Sequence, residues 1–303
     1  MAIPSESFEA VYQRYVSALE WMQILGVRLG AGRTAFYERI LNYWKDAYRT
    51  ASVDEVREAF PDFVSSMFEV FDFISVFEAL REVPADQLLS VAAKLERGVN
   101  GPINAAEETP VSTAARNFLF EAVTAAKAHR PEHGVEAILN ARTDTGISVG
   151  RNKIWVECKR VTSIGAIERN AARASRQLER TFEQVVGSGH RGVVALDVSK
   201  ILNNGDQFFV ARNDDELLAS VDTLMDRFIA ENSAIWQDVY ARRHRKVIGT
   251  LVRFSFMAKS ESRNLLVHAA QWGMNPRTGI SAGDLELQRF LANQLGSVGA
   301  VRT

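Results

Sequence analysis

Residues 154 to 161 read IWVECKRV, a strongly apolar run that carries a glutamate and a lysine two positions apart. Read as a strand, it turns Ile154, Val156 and Cys158 to one face and Trp155, Glu157 and Lys159 to the other. At roughly 3.3 Å of rise per residue, the Cα atoms of Glu157 and Lys159 lie about 6 to 7 Å apart, so both heads can converge on one metal ion, water or phosphate. The same pattern describes the solvated face of a half-buried strand. The neighbouring residues have to separate the two.

Asp144 precedes Glu157 in RTDTGISVGRNKIWVECKR. If TGISV and KIWVECK pair as a hairpin around GRN, Asp144 enters the first strand near the end at which Glu157 and Lys159 leave the second. Two carboxylates supply hard oxygen ligands for Mg²⁺, which favours one or two of them together with water and phosphate oxygens. Such an ion orients and acidifies an attacking water and neutralises charge on a scissile phosphate. A lysine beside it can hold that water or steady the pentavalent phosphorus.

The elements that must position these residues are readable from periodicity. From residue 111 onward the order is a helix (VSTAARNFLFEAVTAAKAH, with Thr113 or Ser112 as cap), three strands (VEAILN, TGISV, KIWVECKRV), a helix (GAIERNAARASRQLERTFEQVV) and a buried strand (RGVVALDVSK). A long amphipathic helix, two further strands (VIGTLVRFSF, RNLLVHAAQW) and a short terminal helix (GDLELQRFLANQL) follow. The first hundred residues show helical spacing throughout, with Pro61 and Pro84 as expected helix boundaries. GVNGPINAAEETP, residues 98 to 110, is the expected linker, dividing a helical region 1–108 from a region 109–303.

The segment from about 112 to 200 resembles the PD-(D/E)XK nuclease superfamily, the restriction-endonuclease-like fold. Its marks are an αβββαβ core, an aspartate on the second strand and Glu-x-Lys on the third, which correspond here to Asp144, Glu157 and Lys159. The resemblance implies an α/β fold of that core with extra C-terminal strands and helices behind an all-α N-terminal domain for substrate, partner or assembly. It implies that Asp144, Glu157 and the backbone carbonyl of Cys158 bind Mg²⁺, for which Mn²⁺ can substitute, while Lys159 assists the attacking water. Glu121, set in the apolar stretch NFLFEAVTAA, has the place of a further acidic ligand on the first helix; a carboxylate there needs a partner or a cation. Thr143 stands where the motif has proline. Gln177 matches a supporting glutamine of some members, and Thr181 replaces their tyrosine.

The function so implied is Mg²⁺-dependent hydrolysis of DNA phosphodiester bonds, endonucleolytic or exonucleolytic, of a kind that would suit bacterial or phage-related restriction or defence. DNA is the favoured nucleic-acid partner, and a homodimer is compatible with the reading. The rival is a catalytically inactive nucleic-acid-binding or interaction module that keeps the fold, since fold alone does not establish activity. Intact Asp144, Glu157 and Lys159 argue against it.

Arg169, Arg173, Arg176 and Arg180 fall at four-, three- and four-residue spacing and form one helical stripe suited to a phosphate backbone. The stripe is equally a solvated helix face paired with Glu168, Glu179 and Glu183. ARRHRK, residues 241 to 246, is either a second phosphate contact or a helix end whose positive charge offsets the macrodipole. GVRLGAGRT, residues 26 to 34, lacks the lysine and glycine spacing of a phosphate loop and reads as an inter-helix turn. His129 and His133 flank Pro131 and read as loop residues; Asp197 in ALDVSK reads as a hydrogen-bonded structural group.

With 36 basic and 37 acidic residues, the net charge of -1 attracts no polyanion as a whole, so a nucleic acid must be held by a local patch. The single cysteine, Cys158, excludes an intrachain disulfide and a cysteine-rich zinc site. The polar start MAIPSESFEA does not resemble a signal peptide, and no run of 18 or more apolar residues suits a membrane span. The expected location is the cytoplasm, away from the membrane.

Overall fold

The computed structural model describes residues 3–141, 143–203, 208–263 and 265–302 and is of mixed α/β architecture. A two-residue strand, β1 (Ser5–Glu6), leads into four helices, α1 (Phe8–Ile24), α2 (Arg33–Ala47), α3 (Val53–Leu80) and α4 (Leu89–Gly98). The helix α1 buries Phe8, Val11, Tyr15, Ala18, Leu19 and Met22, the stripe that its spacing sets up. The loop 25–32 turns back through Gly26 and Gly30, both left-handed.

One boundary differs from expectation. Pro61 does not end a helix but lies inside α3. A capping box between Ser52 and Glu55 fixes the start of α3, and its later half is locked by Val64, Met67, Val70, Phe71, Phe73 and Ile74. The carbonyl of Arg57, which proline cannot bond, belongs to the exposed stretch 52–58, where water can satisfy it.

Then follow α5 (Ala114–Ala128), β2 (Val135–Ile138), β3 (Thr145–Val149), β4 (Asn152–Arg160), α6 (Ile167–Gln184) and β5 (His190–Asp197). The chain continues with α7 (Ser199–Leu202), β6 (Phe209–Ala211), α8 (Asp214–Ala241), β7 (Val247–Ser260), β8 (Leu265–Pro276), α9 (Ala282–Leu295) and β9 (Ser297–Arg302). The expected strand over 263–272 thus begins at Leu265; Asn264 lies outside the described residues. Thr113 does occupy the N-cap of α5, but its hydroxyl donates to Glu108 and caps no amide.

Among the described residues the strands form one nine-stranded sheet in the order β1-β9-β8-β7-β5-β4-β3-β2, with β6 paired to β7 beyond the end of β5. Strands β3 and β4 pair antiparallel through a two-residue turn in which Gly150 has φ +56°. Strand β5 lies parallel to β4, and α6 is the crossover between them. Gly192 lets that crossover sit close, since a Cβ there would stand 2.7 Å from the Phe182 ring.

The two faces of the sheet carry different cores. Trp155, Val194, Leu196, Phe254 and Phe256 pack with residues of α6 and α8. Ile154, Val156, Cys158, Val193 and Ala195 face α5 and α9. A third core joins α1–α4 to Leu119, Ala122 and Val123 of α5 and to Met257 and Leu266 of the sheet. The segment 98–110 is held within this packing: Ile103 accepts from Tyr37 and Arg116, and Glu108 pairs with Arg160.

Candidate active site

The ladder between β3 and β4 ends at Thr145 and Val156. Past it, the β4 edge carrying Glu157 to Arg160 has no strand partner on that side among the described residues, and Asp144 stands where the next rung would be. Asp144 Oδ2 accepts from the Cys158 amide at 2.8 Å and from Lys159 Nζ at 2.9 Å. Lys159 Nζ also donates to Glu157 Oε2 at 3.1 Å. The backbone N–H and C=O of one strand residue leave on the same side, so the Cys158 carbonyl is directed to the same edge as Asp144.

Glu157 is 3% exposed, which removes it from any solvated strand face. Glu121 is also buried; it accepts from Asn117 Nδ2 at 2.8 Å and lies 3.8 Å from Lys94 Nζ. Lys94, on α4, also donates to the Asp144 backbone carbonyl. Three carboxylates and two ammonium groups therefore share one partly covered recess, to which the N-terminal helices contribute a charge that the motif does not contain. Lys94 had a faint signal in the sequence, since it follows the buried Val91 by one helical turn and sits beside the buried Leu95.

Burial pushes the Glu121 carboxyl up to about 8, and the charge of Asp144 adds to this. Burial followed by Asp144 likewise raises Glu157 to about 7. Burial alone would lower Lys159, but Asp144 and Glu157 outweigh it and hold the ammonium above the usual lysine value. Lys159 is thus charged at neutral pH and serves as a donor. Burial raises the Cys158 thiol well above its ordinary value, so that side chain is inert and only its backbone bears on the site.

The donor set suits a hard divalent cation in its chemistry: carboxyls raised by burial and by a neighbouring carboxylate are relieved by one. As arranged, the Lys159 ammonium occupies the place between Asp144 and Glu157, and among the described residues no group of three or more His, Cys, Asp or Glu side chains is poised as a cation site. Access for an ion between those oxygens requires the flexible lysine stem to swing aside.

Arg169, Arg173, Arg176 and Arg180 are exposed, and none makes an ion pair or hydrogen bond among the described residues. Glu179, which could have paired with them, engages Arg243 at 3.5 Å and the His244 amide at 2.8 Å. Helix α6 starts at the β4 end that bears Lys159 and runs back along the strand, so Arg169 is nearest the recess and Arg180 farthest. Gln177 has a buried Oε1 without a partner among the described residues, and no contact joins it to the carboxylates. ARRHRK forms the end of α8 and the turn into β7. His129 closes α5, and His133 meets Gln294 at 3.1 Å. Asp197 accepts from Arg160, Arg253 and the Ser199 amide.

No protein-family model, no curated protein and no solved structure matches the chain.

Proposed function

We propose that the chain is a metal-dependent nuclease with a restriction-endonuclease-like core, hydrolysing phosphodiester bonds of DNA in preference to other nucleic acids. The observation that carries this reading is the meeting of Asp144, Glu157 and Lys159 at an unpaired strand edge, with Glu121 beside them. The order α5-β2-β3-β4-α6-β5 supports it. Asp144, Glu157, the Cys158 carbonyl and Glu121 would hold Mg²⁺ or Mn²⁺, which supplies an acidified water and charge neutralisation at the phosphate. Lys159, moved aside, would donate to a phosphate oxygen as charge grows on it. Burial raises Glu121 and Glu157, and an ion held between them would draw both back to the charged form that ligates it. The exposed arginines of α6 would track the strand leading away from the recess.

A second reading has its own support. The ammonium closed between Asp144 and Glu157 is a complete, charge-paired arrangement without any ion, as suits a nucleic-acid-binding or interaction module that performs no chemistry. Incubation of the purified chain with plasmid, single-stranded DNA and RNA, in Mg²⁺, Mn²⁺ or EDTA, decides between them. Divalent-dependent cleavage, with DNA cut in preference to RNA, supports the first reading. Failure to cut any substrate in either metal removes it.

A further inference from the structure

Helices α1, α2 and α3 and the C-terminal end of β7 bound a cavity of about 350 Å³, within the ~300–1,000 Å³ range of small-molecule sites. Six aromatic rings line it. Phe8, Tyr48, Trp44 and Phe63 form one connected group, with ring centroids 5.0 Å apart for Phe8 and Tyr48, 6.0 Å for Phe8 and Phe63 and 5.7 Å for Trp44 and Phe63. Phe60 and Phe208 form a second group, at 4.6 Å. Among the described residues no ring contact joins the two groups, so the cavity is a slot bounded by rings of both.

The polar part of the lining is short of acceptors. It contains no carboxylate and one cation, Lys259. Strand alternation places Lys259 on the face of Met257, and it pairs in register with Leu266; both of these apolar residues pack against the helices. Lys259 therefore stands where that core face runs out, alone exposed among the described residues of β7. Its ammonium has no ion pair or hydrogen bond among the described residues. Trp44 is 5% exposed, and its indole Nε1 has no hydrogen-bond partner among the described residues, although a buried indole ordinarily has one.

These features select a guest. Water against aromatic walls finds few partners, so its displacement by an apolar body is favourable. Aromatic guests add ring–ring contacts to what buried area alone gives. An ammonium without a counter-charge at the mouth calls for one anionic acceptor, and a second negative charge would find no partner in the lining.

We propose that this slot binds a planar aromatic monocarboxylate, its rings between the two aromatic groups and its carboxylate on the Lys259 ammonium. The site is distinct from the carboxylate recess and does not depend on nuclease activity.

The test is calorimetric titration of the full chain in EDTA with naphthoate and with naphthamide, which has the same rings and no charge. Naphthoate is expected to bind tighter than the amide by about threefold to tenfold, as one lysine–carboxylate contact at a partly exposed mouth would give. Lys259→Met should erase that preference and leave the amide bound as in the wild type. Val56 lines the slot and is 41% exposed, so Val56→Trp can fill it without entering the core and should weaken both ligands by about tenfold or more. Melting curves establish that each variant is folded, and Lys259→Met decides alone if Val56→Trp is not. Wild-type protein that binds neither ligand, or the amide as tightly as the acid, overturns the proposal. Tighter binding of decanoate than of naphthoate overturns it in favour of an acyl chain. A dimer in sedimentation velocity that Val56→Trp dissolves overturns it in favour of a second copy of the chain.

Discussion

Asp144 lies opposite Glu157, one rung past the last pair of the β3–β4 ladder, and the two carboxylates hold the same Lys159 ammonium at 2.9 and 3.1 Å. On the proposed reading, a bound cation would take the lysine's place between the carboxylates and displace it.

That competition fixes how the two central variants differ. Lys159→Ala leaves the buried Glu157 carboxylate facing the half-buried Asp144 and is expected to cost roughly 3 kcal/mol of stability. Mg²⁺ should restore much of this loss, because the variant binds the ion at least as tightly as the wild type while failing to cut. Glu157→Ala should bind Mg²⁺ more weakly and also fail to cut. Calorimetric Mg²⁺ titration, melting curves with and without the ion, and a cleavage assay measure all three. A Lys159→Ala protein that Mg²⁺ does not stabilise would contradict the competition.

The raised carboxyls make stability depend on pH with a definite sign. Glu121 and Glu157 titrate at about 8 and about 7 in the fold against an ordinary 4.5. Between these values the folded chain binds more protons than the unfolded one, so stability falls as pH rises from about 5 to 8. Glu157→Gln should flatten part of this slope in denaturant titrations. Mg²⁺ binding near pH 6 should release protons, visible as a dependence of the binding heat on the buffer.

Lys94 supports the recess from α4 through Glu121 and the Asp144 carbonyl. Lys94→Met is expected to lower metal affinity or cleavage by ~10- to 100-fold, as loss of a ligand's supporting group does. It should also move the pH profile of cleavage upward, since Glu121 loses the cation that lowers it. An unchanged profile would mean that the lysine only fastens the helix.

The α6 arginines can be tested without harm to the fold, being exposed and, among the described residues, unpaired. Replacing them with serine should change stability by about 0.5 kcal/mol or less for each. If they bind DNA, the slope of log affinity against log salt should flatten by about 0.9 for each phosphate that an arginine had neutralised. An identical slope would reduce them to a solvated face.

Much of this architecture is legible in the sequence because local periodicity carries it. The stripes of α1, α5 and α8 and the hairpin before Glu157 depend on residues close to one another. The order of charges Asp144, Glu157, Lys159 is likewise local. What escapes is set by tertiary partners. Lys94 has no motif and gains its meaning from Glu121 on another helix. Arg253, a lone charge inside VIGTLVRFSF, is visible as an anomaly, but its pairing with Asp72 crosses from the sheet to α3. Pro61 misleads because its effect depends on whether the orphaned carbonyl meets water or core.

The parallel pairing of β1 with β9 joins Ser5 to Ala300 and Glu6 to Val301, nearly the whole length of the sequence apart. During synthesis the segment that follows β1 emerges first and can form its helices at once, but the sheet edge it belongs to does not exist until residues 297–302 have left the ribosome. Closure of so long a loop makes the last step of folding slow relative to helix formation. For that interval the growing chain displays the unfilled edge of β8, which is the stage at which a chaperone, or a second nascent chain, would find it.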